Sequence, residues 1–510
     1  MVKDLRTTST VLKLQKYPKL DMTAWDIRDP QPFFPPFERL FKTETLSSLY
    51  DYGVRLSDSI ETVLGPDHVR VKGSSIEVHR KTTMILSPYK WMRGDYTALG
   101  LPKPQNVGED IQKQLQSTHT AAYVGALTSI ALSESGCVHF PKVYGVYAGL
   151  ATKHIVDISD DYEDLQERRW FVENIGKTFD LKLRTEVPQP QMKIGEETDL
   201  LDVVDVNADH VSNPSRHSSH ASTLEEDGED SEQSDDVYEI HSCDCSEDSD
   251  DEEEDDDEEL EPFAWAVFKN VPVMTTVMEK CQGTFYDLIR DHSSPEKRAA
   301  WIAQVVFALA YAQRNFGFVH NDLHGNNVMY VATQQEYLYY KHGGVCYKIP
   351  THGYILKIID FDRAILSLRL QGMKDPRQFV SSQFESNEEA AGQYNMEPFF
   401  DSTHPHIPPS SSFDLCRFAT SMYWDMFPEG PKESTGQLHD TFVQWMKQSD
   451  GTSVMFRQQM DNHDRYHGFD LYKAITRYCK DAVPRREISK LTAFQVDTIP
   501  IGVSCLMIEN

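Results

Sequence analysis

The sequence predicts a mixed α+β fold arranged as two lobes or two domains. Runs rich in β-branched and aromatic residues, such as 328–331 and 354–364, indicate strands. A helical pattern precedes the first of these runs, with Trp301, Val305 and Leu309 recurring at helical spacing. The 510 residues, of which 39% are hydrophobic, are enough to bury a substantial core in one large domain of two lobes or in two domains.

The helix before residue 328 has clear start and stop signals. Ser294 followed by Pro295 predicts an N-cap with proline at the first helical position, and the helix should end near 315–317. Between the two strand-like runs, the segment 337–349 predicts a hairpin around His342-Gly343-Gly344. The chain therefore passes from helix to strand, hairpin and strand within about 60 residues.

The elements upstream of this helix also have recognisable patterns. A strand is predicted at 76–81, ending in Lys81, and a helix at 118–134. The segment His-Phe-Pro-Lys-Val-Tyr-Gly at 139–145 leads into the next strand, and a further apolar strand runs from Val273.

Two motifs in order indicate phosphoryl transfer from Mg-ATP. Asp322 lies two residues after His320, Asn327 follows five residues later, and the strand at 354–360 delivers Asp360. Phosphoryl transfer requires an aspartate that takes the proton of the attacking hydroxyl, and an asparagine and a second aspartate that hold Mg²⁺ against the β- and γ-phosphates. Either motif alone carries little weight, but both occur in the expected order with strand and helix patterns around them.

These residues resemble the protein-kinase superfamily, in particular the divergent kinase-like proteins of large nucleocytoplasmic DNA viruses. The resemblance rests on His-Asn-Asp-Leu-His-Gly-Asn-Asn-Val-Met-Tyr at 320–330 and Phe-Asp-Leu-Cys-Arg at 413–417, and it extends from about Val71 to Val483 with one insertion. Haspin-like kinases also place a histidine two residues after the catalytic aspartate, as His324 does here. Choline and aminoglycoside phosphotransferases use a similar loop, so the loop alone leaves the substrate open.

The resemblance implies a two-lobed protein-kinase-like fold with defined segments. These are an N-terminal extension at 1–70, an N-lobe and hinge at 71–282 interrupted by an acidic insertion at 188–261, and a C-lobe at 283–510. It also implies a serine/threonine protein kinase that uses ATP and Mg²⁺ and acts on a protein substrate.

Individual roles follow from the resemblance for the catalytic residues. It implies that Asp322 is the catalytic base, that His320 and His324 belong to the same catalytic loop, and that Asn327 and Asp360 bind the metal. Asp414 corresponds to the aspartate that braces this loop through backbone amides.

The resemblance also implies the residues that bind ATP. Lys81 corresponds to the lysine that reaches the α- and β-phosphates, with Lys90 as the alternative. Met278, Glu279 and Lys280 resemble the hinge whose backbone binds adenine, although an ordinary strand-to-helix connection would explain them as well.

Several features depart from the kinase pattern. The helix at 118–134 has no glutamate in its early or middle part to pair with the lysine; Glu134 comes late, and Glu77 or Glu109 would have to substitute. No Gly-x-Gly-x-x-Gly loop precedes the lysine, where only Gly65 and Gly73 are present.

A third departure lies next to the second aspartate of the site. Asp362 stands where the kinase motif has glycine, which leaves open a restricted backbone or an additional carboxylate facing the metal. No Ala-Pro-Glu motif follows Asp360, which predicts an unusual substrate platform.

The negative charge is concentrated in one stretch. The net charge is −30, but 221–261 contains 23 acidic residues and no Lys or Arg, so −7 remains for the rest of the chain. Such a run repels itself, which predicts a disordered insertion at 188–261. It would serve as a solvated linker, or as a phosphorylatable tail that binds a basic partner; direct nucleic-acid binding is disfavoured because phosphate contacts require cationic patches.

The remaining features bear on location and packing. The sequence has no apolar run long enough to span a membrane, and its start lacks the apolar stretch of a signal peptide, which predicts a soluble intracellular protein, in the host cytoplasm or the virion if the viral resemblance holds. The eight cysteines show no zinc-finger spacing.

Trp25 and four phenylalanines predict that the N-terminal extension packs on the lobes by aromatic anchors. The phenylalanines are Phe33, Phe34, Phe37 and Phe41.

Two other functions remain in competition with a protein kinase. A pseudokinase scaffold would explain the missing glutamate, the absent glycine loop and Asp362, but not the retention of Asp322, Asn327 and Asp360. A small-molecule kinase is favoured by the His-Asn-Asp loop and opposed by the pattern at 413–417.

Overall fold

The structure, a computed structural model, describes most of the chain. The described residues are 11–32, 51–96, 117–159, 162–184, 204–206, 236–241, 263–386, 388–457 and 464–508. They form a mixed α+β protein, as the sequence predicts.

Helices and strands alternate along the first half, and helices dominate the end. The helices of the described residues are α1 Pro88–Arg93, α2 Ala121–Glu134, α3 Tyr162–Gln166, α4 Arg169–Asn174, α5 Phe285–Asp291, α6 Pro295–Phe316, α7 Phe413–Met426, α8 Gly430–Glu433, α9 Gln437–Trp445, α10 Gly468–Tyr478 and α11 Pro484–Ile488. The strands are β1 Val11–Leu12, β2 Leu14–Lys16, β3 Ile27–Pro32, β4 Tyr52–Val54, β5 Ile60–Val63, β6 His68–Val71, β7 Ser74–Met84, β8 Val143–Asp157, β9 Asp180–Arg184, β10 Val204–Val206, β11 Phe263–Glu279, β12 Gly283–Thr284, β13 Val328–Ala332, β14 Tyr337–His342, β15 Val345–Pro350, β16 Tyr354–Ile358, β17 Ile365–Leu370, β18 Arg377–Val380, β19 Gln495–Val496 and β20 Leu506–Ile508.

The largest sheet has eight strands and is built around β11. Along one path the strands lie in the order β10-β9-β11-β7-β6-β5, and β8 pairs with the other edge of β11 and then with β3. Strand β11 is 17 residues long and buried along most of its length, because it has neighbours on both sides. Lys81 is on β7, opposite Thr276 of β11.

Helix α2 packs against this sheet and against the segment that follows Asp360. Thr120 caps it by accepting a hydrogen bond from the amide of Tyr123 at 3.2 Å. Its residues from Ala122 to Leu132 are buried apart from Ser129, so the helix is covered on nearly every side. The helix predicted at 118–134 is confirmed, with its first turn starting at residue 121.

Helix α6 begins and ends where the sequence predicts. The Ser294 side chain caps the helix, Pro295 occupies its first turn, and Gly317 ends it with a φ of 56° in the left-handed region. The predicted hairpin is β14 and β15, which turn through Gly343 and Gly344, and β16 pairs with β13 beside it. These elements place residues 318–327 and Asp360 next to each other.

The N-terminal residues are built into the rest of the fold. Strand β1 pairs in parallel with β17, β2 pairs with β4, and β3 extends the large sheet. Trp25 is 5% exposed and packs in a cluster with Met22, Ile60 and Val69, which confirms it as an aromatic anchor. The four phenylalanines predicted to act with it lie outside the described residues.

The boundary predicted at residue 70 does not coincide with a structural boundary. It falls within β6, and both β5 and β6 belong to the large sheet. Strand β3, at Ile27–Pro32, also belongs to this sheet, so residues of the predicted N-terminal extension contribute three of its strands.

Two pieces of the predicted disordered insertion at 188–261 are described, and both are bonded to the fold. Val204–Val206 pairs with β9. In residues 236–241, which we call the docked segment, the Tyr238 ring stacks on His404 at 4.3 Å and the amide of His241 donates to Asp470 Oδ2 at 2.9 Å. The rest of the insertion lies outside the described residues.

Within the part of the chain that the structure covers, none of the helices combines the length and the apolarity that crossing a bilayer requires.

Candidate active site

The loop after α6 is held by a buried aspartate. The backbone amides of His320 and Asn321 donate to the Asp414 carboxylate at 3.0 to 3.1 Å. Asp414 is in the first turn of α7 and is fully buried. Burial raises the pKa of Asp414 to about 7, while the two amides favour its charged form. The position expected to brace the loop therefore makes those backbone contacts.

His320 links this loop to the strand that leads to Asp360. Its Nε2 lies 2.7 Å from the carbonyl oxygen of Ile359, and its Nδ1 lies 3.3 Å from the amide nitrogen of Asp322. The amide donates to Nδ1, so Nε2 carries the proton and donates to the carbonyl. Burial lowers the pKa of His320, which keeps the ring neutral. His320 thus connects the loop that carries Asp322 to the backbone that leads to Asp360.

The Asp322 carboxylate is surrounded by donors. The Tyr472 hydroxyl donates to its Oδ1 at 2.8 Å, Arg363 Nη1 lies 3.6 Å from the same oxygen, and His324 Nε2 lies 3.9 Å from Oδ2. Burial opposes ionisation of Asp322, but Arg363, His324 and Arg417 hold its pKa below the usual value. The carboxylate is ionised at neutral pH and can accept a proton.

Asn327 and Asp360 are brought to the same place by the backbone. The amide of Ile359 donates to the carbonyl of Asn327 at 3.0 Å, and Asn327 Nδ2 donates to the carbonyl of Asp322 at 2.8 Å. Since its amide nitrogen is used in this way, the side-chain oxygen of Asn327 is the atom left for a cation. The Asp360 side chain is 41% exposed and faces the cleft.

These two oxygen donors fit Mg²⁺. Magnesium is bound in phosphotransferases by one or two carboxylate or amide oxygens and completes its shell with phosphates and water. The described residues contain no group of three or more His, Cys, Asp or Glu side chains that would hold a metal by themselves. Asn327 and Asp360 would therefore supply only part of the coordination shell of such an ion.

Lys81 reaches the same place from the sheet. Its Nζ lies 2.5 Å from Asp360 Oδ1 and 2.9 Å from Asp362 Oδ2. Burial works against the charge of Lys81, but the two carboxylates raise its pKa. The alternative, Lys90, lies elsewhere, with its Nζ 2.7 Å from Glu388.

The glutamates considered as partners for Lys81 are not beside it. Glu77 binds Lys280 at 2.5 Å, and Glu134 accepts hydrogen bonds from the backbone and hydroxyl of Ser57 at 3.0 and 2.6 Å. Glu109 lies outside the described residues.

A cleft beside Lys81 runs between the sheet and α2. Its lining includes Lys81, Gly125, Thr276, Met278, Asp360 and Asp362. Glu279 binds Lys357 at 2.8 Å and Lys280 binds Glu77, so these two predicted hinge side chains serve ion pairs. Only a backbone role in adenine binding remains for them.

Of the two glycines considered for a phosphate loop, Gly65 occupies the turn between β5 and β6, and Gly73 the turn between β6 and β7. The indole of Trp25 donates to the carbonyl of Gly65 at 3.0 Å, so the N-terminal extension fixes the first turn. A single glycine there supplies less freedom for backbone amides to surround phosphates than a glycine-rich loop.

The chain after Asp360 is ordered by charged and polar contacts. Arg363 Nη2 lies 3.1 Å from Glu389 Oε2, and Lys90 binds Glu388. The Tyr394 hydroxyl donates to Asn321 Oδ1 at 2.5 Å, which joins this segment to the catalytic loop.

Two residues at the site, Tyr472 and Arg363, were not assigned a role from the sequence, and for Asp362 two alternatives were left open. Tyr472 comes from α10, about 150 positions after Asp322, and no local pattern marks it. Arg363 follows the Asp360 motif directly, but its partners lie elsewhere in the chain. The sequence did contain a signal for Asp362. The helix at 118–134 has no central glutamate, and the Asp360 motif has an extra aspartate.

Comparison of the chain with models of known protein families finds no match, and comparison with curated proteins finds no significant relative. A functional assignment therefore depends on the residues and geometry of the site.

Proposed function

We propose that the protein is a divergent serine/threonine protein kinase that transfers the γ-phosphate of Mg-ATP to protein hydroxyls. The observation that supports this most directly is that four polar side chains from three parts of the chain lie together. They are Lys81, Asp322, Asn327 and Asp360. Lys81 contacts Asp360, and the backbone next to Asp360 is bonded to His320 and Asn327 on either side of Asp322.

The residues present can perform each part of the transfer. Asp322, ionised and held by its donors, would accept the proton of the attacking hydroxyl. Lys81 would hold the α- and β-phosphates, and Asn327 and Asp360 would hold Mg²⁺. Bound by these residues, Mg²⁺ would neutralise the negative charge that develops on the phosphates during transfer.

The order of elements supports a two-lobed kinase-like arrangement. Counting from β5, Lys81 is on the third strand of the sheet, where protein kinases carry this lysine. Helix α2 follows, then β8 and β11, and the helical elements from α5 onward come after β11. On this proposal the sheet with α2 is the N-lobe and the later helices form most of the C-lobe.

A pseudokinase scaffold is the second candidate, and one observation favours it. The Tyr472 hydroxyl binds Asp322 Oδ1, the kind of atom that a substrate hydroxyl would approach. In a scaffold the same pocket would bind a nucleotide without transferring phosphate. If the viral resemblance holds, either protein would act in the host cytoplasm or the virion.

The deciding experiment measures transfer of labelled γ-phosphate from Mg-ATP to casein, histone and the protein itself. We expect transfer by the wild type and none by Asp322→Asn, with equal thermal stability and ATP binding. Asp440→Asn, at a position where the side chain is 80% exposed, is the matched control and should transfer normally.

Other outcomes would change the assignment. Equal transfer by the wild type and Asp322→Asn would exclude Asp322 as the base. Nucleotide binding without transfer to any protein would favour the scaffold, and transfer only to sugars or amines would indicate a small-molecule kinase.

A further inference from the structure

We infer that Asp362 is the residue that positions Lys81 for nucleotide binding, in place of the helix glutamate that protein kinases use. The inference rests on the proposed kinase function and specifies how the site operates. In protein kinases, the lysine on the third strand must be paired with a glutamate from the following helix before transfer can occur.

The contacts of Asp362 fit this role. Its Oδ2 lies 2.9 Å from Lys81 Nζ and accepts a hydrogen bond from the Thr83 hydroxyl at 3.3 Å. Lys81 and Thr83 are two residues apart on β7 and so face the same side of the sheet. The backbone carbonyl of Asp362 also accepts a hydrogen bond from the Ser381 hydroxyl.

Helix α2 is shaped to receive this carboxylate. A Cβ atom on Gly125 would overlap Asp362 Oδ1. The glycine therefore leaves the space that a side chain would take, and the Asp362 carboxylate occupies it. Gly125 has no turn or positive φ to explain it, since it lies within α2 and is buried.

The backbone at Asp362 shows why glycine is not needed there. Asp360 has a φ of 63° and Asn321 a φ of 70°. Asp362 is not among the described non-glycine residues with a positive φ. Its side chain is therefore compatible with the local conformation. The extra carboxylate is directed to the lysine.

This arrangement changes which element controls the lysine. Asp360, the proposed metal ligand, and Asp362, the proposed lysine partner, are on one short segment. Lys81 is therefore paired with a side chain of that segment and not with a side chain of α2.

The test moves the carboxylate from Asp362, in the segment after Asp360, to position 125 on helix α2. Asp362→Gly and Asp362→Asn should each lower kcat/KM for Mg-ATP about a hundredfold, since misplacement by 1 Å can cost that much. Adding Gly125→Asp to Asp362→Gly should recover at least tenfold, because a side chain at 125 begins at the position that the Asp362 carboxylate leaves. Gly125→Asn in the same background has the same shape without the charge and should not recover activity.

Binding of Mg-ADP, measured by calorimetry, gives a readout that does not require transfer. The variants should rank in affinity for Mg-ADP as they do in kcat/KM. Their melting temperatures are recorded to exclude unfolding as the cause of a loss. If Asp362→Gly and Asp362→Asn keep wild-type kcat/KM and affinity, the role of Asp362 is refuted while the kinase proposal stands. If Gly125→Asp recovers no more than Gly125→Asn, the carboxylate is not the relevant feature. A wild type that neither binds nor transfers would overturn both proposals.

Discussion

Tyr472 donates a hydrogen bond of 2.8 Å to Oδ1 of Asp322, across a separation of 150 residues. Arg417 lies over the Tyr472 ring with its guanidinium carbon 4.7 Å from the ring centroid. The tyrosine is thus fixed from both sides, and it holds one oxygen of Asp322 while Oδ2 faces His324. Helix α10 therefore contributes to the candidate active site together with the loop that carries Asp322.

Tyr472→Phe should lower kcat about ten- to a hundredfold without changing the KM for ATP. A hydrogen bond to a charged group contributes about 1.5 to 3 kcal/mol, and its loss would free the Asp322 carboxylate to rotate. Steady-state kinetics with a protein acceptor measures the effect. A higher kcat in the variant would show instead that the hydroxyl blocks the acceptor position.

Asp414→Ala should destabilise the protein by about 2 to 6 kcal/mol, because it leaves two buried amides without an acceptor at about 1 to 3 kcal/mol each. The amides are those of His320 and Asn321. Urea denaturation measures the change, and Asp414→Asn, which keeps one acceptor oxygen, should lose less. Equal stability of Asp414→Ala and wild type would contradict the bracing role.

His139 should make the protein less stable in acid. Its ring is buried between the carbonyl of Leu356 at 2.9 Å and the hydroxyl of Tyr340 at 2.7 Å, and burial lowers its pKa to about 4. The unfolded chain binds a proton near pH 6.5 and the folded protein only near pH 4, so stability present above pH 6.5 is lost as the pH falls between these values. The loss from pH 7 to pH 4 should be about 3 kcal/mol, at about 1.4 kcal/mol for each pKa unit.

Comparison with His139→Gln isolates this effect. The variant keeps hydrogen-bonding groups but does not titrate. Between pH 7 and pH 4 its free energy of unfolding should therefore fall by about 3 kcal/mol less than that of the wild type. Parallel curves for wild type and His139→Gln would refute the assignment.

Tyr238→Ala should release the docked segment. The ring stacks on His404, and neighbouring contacts join the Glu239 carbonyl to Lys473 Nζ at 3.2 Å and the His241 amide to Asp470. Amide hydrogen exchange at 237–241 should become faster in the variant. Glu239→Gln keeps the backbone carbonyl and should exchange like the wild type; unchanged exchange in Tyr238→Ala would mean that the backbone bonds alone hold the segment.

Much of the local structure could be predicted because it depends on neighbouring residues. Ser294, Pro295 and Gly317 set the ends of α6, and the paired glycines set the β14–β15 turn. The contacts of Asp414 also follow the expected pattern, because the motif around it is short and continuous.

The remaining features could not be predicted because they depend on residues far apart in sequence. Asp362 pairs with Lys81 only because the sheet and the segment after Asp360 meet across α2. The docked segment lies in an acidic stretch whose composition favours disorder, yet Tyr238 and Ile240 supply apolar groups that pack on the fold. The average composition of the acidic stretch does not reveal a short segment with two apolar side chains.

The parallel pairing of β1 with β17 has a consequence for how the protein is made. Val11 pairs with Arg369 and Leu12 with Leu370, so this contact closes a loop of about 360 residues. During synthesis β1 leaves the ribosome long before its partner, and contacts between distant segments form slowly because the chain must first lose entropy. Strand β1 can therefore pair with β17 only after the sheet and α6 have been synthesised, and we expect this contact to form late in folding.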